Sequence, residues 1–286
     1  MPVSAALDRA GYRHLAGMEI DLQLNPATMP WPVLRAGAAA AEESGLGALW
    51  MVDHLAGRSM GGDTMLECFT TLGALAASTR SIALGTLVVN VNNRSPGLLA
   101  VAAATLDRIA DRPTFLGLGA GASPASPFAS EQIAAEHHIE PTLAGRHALV
   151  AHQLDVLDLL WSDSDPERRD FPRPKRPPHV LLGVSSRPLA RMAGSRTDGV
   201  NVRWNDASAD ELIAAARTAR AARDADRDAG ERRPFLVTVW ARWDPALFDA
   251  EHPDRLAMAA TAVDRLILLA IDPFTPDEIA AAAAKS

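Results

Sequence analysis

The feature that most constrains the fold is a regular alternation of short apolar runs with alanine-rich stretches of helical period along the chain. The runs are rich in Val, Ile and Leu, as are strands buried in a parallel sheet. We count about eight of them, at residues 18–22, 47–52, 82–89, 114–119, 179–184, 198–202, 235–240 and 264–270. Because an open doubly wound sheet usually has fewer strands, this number predicts a (β/α)8 TIM barrel.

Helices are predicted after each of these strands, with bounds assigned to seven of them, and two segments interrupt the pattern. The helices are expected at residues 33–44, 66–78, 97–109, 144–161, 187–194, 209–228 and 276–284. Residues 122–136 are rich in Ser, Pro and Ala, and residues 162–178 are charged and rich in proline, so both are predicted to be long loops. Since the composition does not change after either segment, residues 1–286 are expected to form a single barrel domain with loop insertions.

Composition narrows the class of partner. The net charge of -7 offers no basic surface for nucleic acid or anionic lipid, so a small-molecule substrate is expected instead. The single cysteine, Cys68, excludes an intramolecular disulfide and a cysteine-rich metal site. The His137-His138 pair lacks a metal-binding motif, and no metal site is expected. The sequence shows neither a signal peptide nor a membrane span, which predicts a cytoplasmic protein.

A glycine-rich run, FLGLGAGASPAS at residues 115–126, raises the question of a phosphate-binding loop. Its glycines, Gly117, Gly119 and Gly121, do not have the G-x-G-x-x-G spacing of a dinucleotide fingerprint, and prolines follow where a helix would begin. Glycines at alternate positions of a strand leave one face open to a flat ligand or to another backbone. The run therefore predicts either a ring-binding surface at the barrel mouth or tight packing at a barrel corner.

Two further stretches end at the predicted barrel mouth, where barrel enzymes place catalytic groups. Asp53 and His54 directly follow the second strand and place an imidazole next to a carboxylate in the sequence. They are candidates for proton transfer, or else a solvated pair that caps the next helix. The third strand continues into the polar segment NVNNR, so it either brings residues 87–90 to the mouth or is an ordinary buried strand.

Together these stretches resemble the luciferase-like monooxygenase superfamily. The resemblance lies in EESGLGALWMVDH at residues 42–54, in residues 66–121 and in residues 176–204, which include HVLLGVSSRPLARMAGSRTDGVNVRW. It implies a (β/α)8 barrel that binds a flavin or the deazaflavin coenzyme F420. Asp53-His54 matches the F420-dependent branch, because the luciferases proper have a different acidic-His-His pattern at that position.

The resemblance also implies roles for individual residues. His54 would donate or accept the substrate proton, and Asp53 would orient His54. Leu87 and Val88 would form a non-proline cis peptide in a bulge behind the cofactor ring. The remaining cofactor contacts would be Ala120 and Gly121 at the ring edge, and Gly183, Val184, Ser185 and Ser186 at the cofactor phosphate.

The chain departs from the family pattern at three places. Val184 replaces a common glycine, Ala122 stands where a larger or polar residue is usual, and residues 111–113 read Asp-Arg-Pro. The expected function is hydride transfer between coenzyme F420 and a small organic substrate. The alternatives are an FMN-dependent monooxygenase and a non-catalytic cofactor-binding relative. The resemblance also implies a homodimer.

Overall fold

The eight predicted strands form a closed parallel barrel in a computed structural model that describes residues 17–225, 228 and 232–285. Each strand pairs with its neighbours in chain order, and β8 pairs with β1. The TIM barrel prediction is confirmed, because each strand begins and ends within two residues of the predicted bounds. The strands are β1 (Glu19–Leu24), β2 (Ala48–Met51), β3 (Ala83–Asn90), β4 (Thr114–Gly119), β5 (His179–Gly183), β6 (Gly199–Arg203), β7 (Leu236–Arg242) and β8 (Arg265–Leu269).

Nine helices are seen among the described residues. Seven correspond to predicted ones: α1 (Trp31–Glu43), α2 (Cys68–Ser78), α3 (Pro96–Ala110), α5 (Leu143–Trp161), α6 (Arg187–Arg196), α7 (Ala209–Ala225) and α9 (Pro276–Ala283). The predicted continuation of α7 through residues 226 and 227 lies outside the described residues. None of the helices that the structure describes is long and apolar enough to cross a membrane.

Two short helices had no predicted bounds, namely α4 (Ala129–Ala134), which falls in a predicted loop, and α8 (Pro253–Ala260), which lies between β7 and β8. The prediction of an uninterrupted loop at residues 122–136 is therefore wrong. The buried residues of α4 are Ala129, Glu131 and Gln132, while Ile133 is exposed, so α4 has no apolar periodicity to reveal it. In residues 162–178 the structure has only one short helical turn, at Pro166–Arg168.

A charged and aromatic cluster fills the barrel interior below the mouth. The Asp21 carboxylate accepts hydrogen bonds from Nε and Nη2 of Arg265 at 2.8 and 2.7 Å, and from Trp50 Nε1 at 2.8 Å. Trp50 is fully buried and stacks on Phe115 with a centroid distance of 4.8 Å. This cluster packs the barrel as a solid core, so a ligand can enter only from above it.

Candidate functional site

A cavity of about 620 Å³ opens at the carboxyl ends of the strands. This volume suits a ligand of cofactor size. Seven of the predicted site residues line it: Asp53, His54, Leu87, Val88, Gly183, Val184 and Ser185. Three others, Ala120, Gly121 and Ser186, are not among its lining residues, so their contact with a cofactor stays a prediction. The lining also includes residues that were not predicted, among them Gln23, Phe128, Asn201, Arg203, Trp240 and Arg242.

The floor of the cavity is formed where β3 bulges. The pairing register between β3 and β4 shifts between Thr86 and Val89, and the Leu87–Val88 peptide bond is cis, as the resemblance implies. The amide of Gln23 donates a hydrogen bond to the Leu87 carbonyl and accepts one from Trp240 Nε1 at 2.6 Å. Because Gln23 lies on β1 and Trp240 on β7, this amide joins three strands beneath the ligand space.

The glycines around the bulge make room for protein atoms. A Cβ at Gly119 would lie 2.5 Å from Val88 Cγ2, and one at Gly183 would lie 2.7 Å from Val88 Cγ1. A Cβ at Gly117 would collide with the Thr86 carbonyl oxygen. The interpretation that this glycine run directly admits a ring is therefore corrected: Gly117 and Gly119 admit the bulged β3 backbone and the Val88 side chain, which itself lines the cavity.

His54 is held by a carboxylate from the β4 insertion. Its Nδ1 lies 2.8 Å from Oε1 of Glu131 on α4, and its ring is 5.2 Å from the ring of Phe128, centroid to centroid. Glu131 Oε2 also accepts from the backbone N–H groups of Leu55 and Ala56 at 3.2 Å each. Burial acts to raise the pKa of Glu131, but the hydrogen bonds from His54 and these amides outweigh it and lower the pKa. An ionised Glu131 fixes the Nδ1–H tautomer and leaves Nε2 of His54 to exchange a proton.

Asp53 has a different role from the predicted one. Its two carboxylate oxygens accept from Nη1 and Nη2 of Arg94, each at 2.8 Å, and it also accepts from the backbone N–H of Asn90 and from Nδ2 of Asn93 at 3.2 Å. The prediction that Asp53 orients His54 is therefore wrong, since Glu131 does so. Asp53 instead fixes the loop between β3 and α3 against the end of β2, and this supports the cavity wall.

The turn after β5 offers a place for an anion. Val184 donates its N–H to the Asn201 carbonyl at 2.9 Å, and Ser186 is the N-cap of α6. The Ser186 side chain makes no capping hydrogen bond and lies 3.2 Å from His147 Nε2, while Ser185 lines the cavity. Because helix N-termini attract anions, the uncapped start of α6 fits a phosphate attached to a ligand in the cavity.

The cavity as a whole fits a flavin or deazaflavin. Val88, Leu87 and Leu269 give it apolar walls, and the turn at residues 183–186 gives an anion site at its edge. A Cβ at Gly183 would collide with Val88, so only glycine keeps that side chain in place beneath the ligand space. These residues would hold such a cofactor, and His54, which follows β2, lines the same cavity.

Relatives of known activity share the sequence pattern. The chain is 28% identical over 261 residues to an F420-dependent hydroxymycolic acid dehydrogenase of Mycobacterium tuberculosis, covering 87% of this chain and 68% of that one. It is 26% identical over 174 residues to an F420-dependent glucose-6-phosphate dehydrogenase of Amycolatopsis mediterranei, covering 57% and 50% of the two chains. The chain thus spans only about half the length of that dehydrogenase.

Solved structures share the fold. An F420-dependent secondary alcohol dehydrogenase in complex with an F420-acetone adduct superimposes with a TM-score of 0.73 at 14% identity, covering 94% of this chain and 98% of that one. The oxygenating constituent of 3,6-diketocamphane monooxygenase from Pseudomonas putida, in complex with FMN, superimposes with a TM-score of 0.59 at 18% identity. The match covers 85% of this chain and 74% of that one. The family model for luciferase-like monooxygenases matches residues 12–247. The chain therefore belongs to the luciferase-like monooxygenase family.

Proposed function

We propose that the protein is a coenzyme F420-dependent oxidoreductase that transfers a hydride between the deazaflavin and a small organic substrate. The proposal rests on the position of His54, which lines the cavity and is held in one tautomer by the carboxylate of Glu131. The F420-dependent relatives support the choice of cofactor.

The residues of the chain have separable tasks in this proposal. The cofactor supplies hydride exchange when it is bound. Val88 and Leu87 support the ring from the barrel side, and the turn at residues 183–186 binds the phosphate. His54 moves a proton at Nε2 to or from the substrate, while Glu131 stabilises the imidazolium that forms when Nε2 takes up a proton. Phe128 covers one side of His54 and limits the access of water.

An FMN-dependent monooxygenase is the second candidate. The similarity of the fold to the FMN complex of the 3,6-diketocamphane monooxygenase component favours it. The two candidates differ at ring position five, which is carbon in deazaflavin and does not readily activate oxygen. Oxygen consumption during turnover therefore distinguishes them. The names of the curated relatives favour either enzyme over a non-catalytic cofactor-binding protein.

The role of His54 is tested by His54→Ala in the F420-loaded protein. We expect the affinity for F420 to change less than about threefold, because His54 acts on the substrate, while turnover of a reducible or oxidisable substrate falls roughly 10²-fold or more. His138→Ala is the matched control, since His138 is exposed in the loop after α4. Equal turnover in His54→Ala and in this control would remove His54 from the mechanism.

A further inference from the structure

Within the part of the chain that the structure describes, two arginines at the cavity have no carboxylate partner in an ion pair. Arg203 ends β6 and Arg242 ends β7, and both line the cavity. Among the described residues, neither guanidinium forms a hydrogen bond or an ion pair; Arg203 lies over the Trp240 ring, 5.4 Å from its centroid. Both arginines are exposed, so each guanidinium is open to a ligand at the cavity.

Strand alternation directs both side chains to the barrel mouth. Arg203 follows Asn201 by two residues, and the Asn201 side chain hydrogen-bonds Thr238 inside the barrel at 2.8 Å. Arg242 follows Trp240 by two residues, and Trp240 reaches Gln23 in the cavity floor. Because side chains two apart on a strand share a face, the arginines are on the ligand side of the sheet.

The other charges of the cavity are already compensated. The Asp53 carboxylate is paired with Arg94, and Glu131 accepts from His54 and two backbone amides. Arg203 and Arg242 are therefore the charged lining residues that form no ion pair, and both are positive. Arg203 acts on Asp206 only through its charge, which helps to lower the pKa of that carboxyl. Guanidinium groups bind carboxylates and phosphates well because they offer paired donors.

The arginines and Trp240 form a wall that the main cavity shares with a second cavity of about 480 Å³. Asp206, Asp244 and Asp254 line the second cavity. Asp206 accepts from Ser208, Asp244 accepts from the N–H of Ala246, and Asp254 lies in the first turn of α8. These carboxylates repel an anion from the second cavity, so an anion is favoured on the side of the arginines that faces the main cavity.

We propose that Arg203 and Arg242 bind an anionic group, a carboxylate or a phosphate, of the substrate, with Trp240 beside it as a flat apolar surface. This assignment rests on the proposed function for the identity of the ligand as a substrate. Coenzyme F420 also carries phosphate and carboxylate groups, and its phosphate is the expected ligand of the turn at residues 183–186. Because the cofactor phosphate is assigned to that turn, the arginines on β6 and β7 are assigned to the substrate.

The test measures anion binding without cofactor. Benzoate and inorganic phosphate are titrated into the protein and followed by the broadening of their NMR signals, with benzamide as the neutral analogue of benzoate. We expect benzoate to bind roughly tenfold or more tightly than benzamide, and Arg203→Gln and Arg242→Gln each to weaken benzoate roughly fivefold or more. Arg196→Gln is the control, because Arg196 pairs with Asp155 at the other end of the barrel and carries the same charge.

Parallel titrations with coenzyme F420, and with its deazaflavin core lacking the phosphate and its attached side chain, separate the possible outcomes. Equal binding of benzoate and benzamide, or equal effects of all three variants, overturns the anion site even if F420 binds. Weaker F420 binding in the two variants, with unchanged benzoate and core binding, assigns the arginines to the cofactor and overturns the substrate assignment. Arginine-dependent benzoate binding in a protein that binds no F420 supports the anion site and overturns the proposed function.

Discussion

Replacing Glu131 by Gln tests whether this carboxylate orients His54, the residue proposed to transfer the substrate proton. Glu131 accepts three hydrogen bonds, one from His54 at 2.8 Å and two from backbone amides at 3.2 Å, and its side chain is only 2% exposed. A glutamine keeps one acceptor oxygen but turns an NH2 group toward a donor, so at least one hydrogen bond to a charged acceptor is lost. Such bonds contribute about 1.5–3 kcal/mol, and the free energy of unfolding should fall by about that amount at pH 7.

The pH dependence of this loss follows from the lowered pKa of Glu131. A carboxyl whose pKa is lower in the folded state stabilises the protein above its unfolded pKa, here 4.5, and loses that contribution as the pH falls through its folded pKa. The difference in the free energy of unfolding between the wild type and Glu131→Gln should therefore be largest at pH 6–7 and should shrink below about pH 4.5. Urea denaturation at several pH values measures it.

A second measurement separates orientation of His54 from simple stability. Long-range proton–nitrogen NMR should show neutral His54 as the Nδ1–H tautomer in the wild type and a mixture of tautomers in Glu131→Gln. Glu136→Gln is the matched control, because Glu136 is exposed just beyond the same helix. Unchanged stability together with an unchanged tautomer in Glu131→Gln would refute the role of Glu131.

Two further predictions concern the stability of the fold at residues that do not line the cavity. Burial acts to raise the pKa of Glu42, but hydrogen bonds from the backbone N–H groups of residues 80–82 outweigh it and lower the pKa to about 2. Glu42→Gln should therefore lower the free energy of unfolding by about 1–2 kcal/mol at pH 7, and this loss should decline as the pH falls from 4.5 toward 2. Urea denaturation measures the loss, and a loss that does not change with pH would contradict the prediction. Gly121→Ala should lower the free energy of unfolding by about 1–3 kcal/mol, because Gly121 has φ +74° and a Cβ would lie 2.7 Å from Asn90 Oδ1; thermal denaturation with Gly73→Ala as the control, where a Cβ meets nothing, checks it.

The barrel could be predicted because each of its units is encoded locally. A strand buried on both faces is a short apolar run, and the helix after it has its own periodicity, so neither needs a distant residue to be recognised. The helix α4 could not be predicted because its buried face carries the polar residues Glu131 and Gln132. These side chains are buried because they form hydrogen bonds with the loops after β2 and β3. Its polar inner face is tied to its role at the site.

The site was only partly predictable for the same reason. Asp53 and His54 follow a strand and are adjacent, which the sequence shows, but the partner of His54 is 77 positions away. Gln23 and Trp240 are 217 positions apart and meet only because the barrel closes. One local signal for the arginines was available, namely a charged residue at the end of each of two neighbouring apolar strands, at Arg203 and Arg242.

The proposed use of coenzyme F420 is tested most directly by an equilibrium titration of the purified protein with oxidised F420 and, in parallel, with FMN. Tryptophan fluorescence and cofactor absorbance follow binding, and Trp240, which lines the cavity, provides a signal at the site. The proposal predicts saturable binding of F420, roughly tenfold or more tighter than that of FMN. Tighter binding of FMN would contradict it in favour of the monooxygenase, and binding of neither cofactor by the folded protein would contradict both.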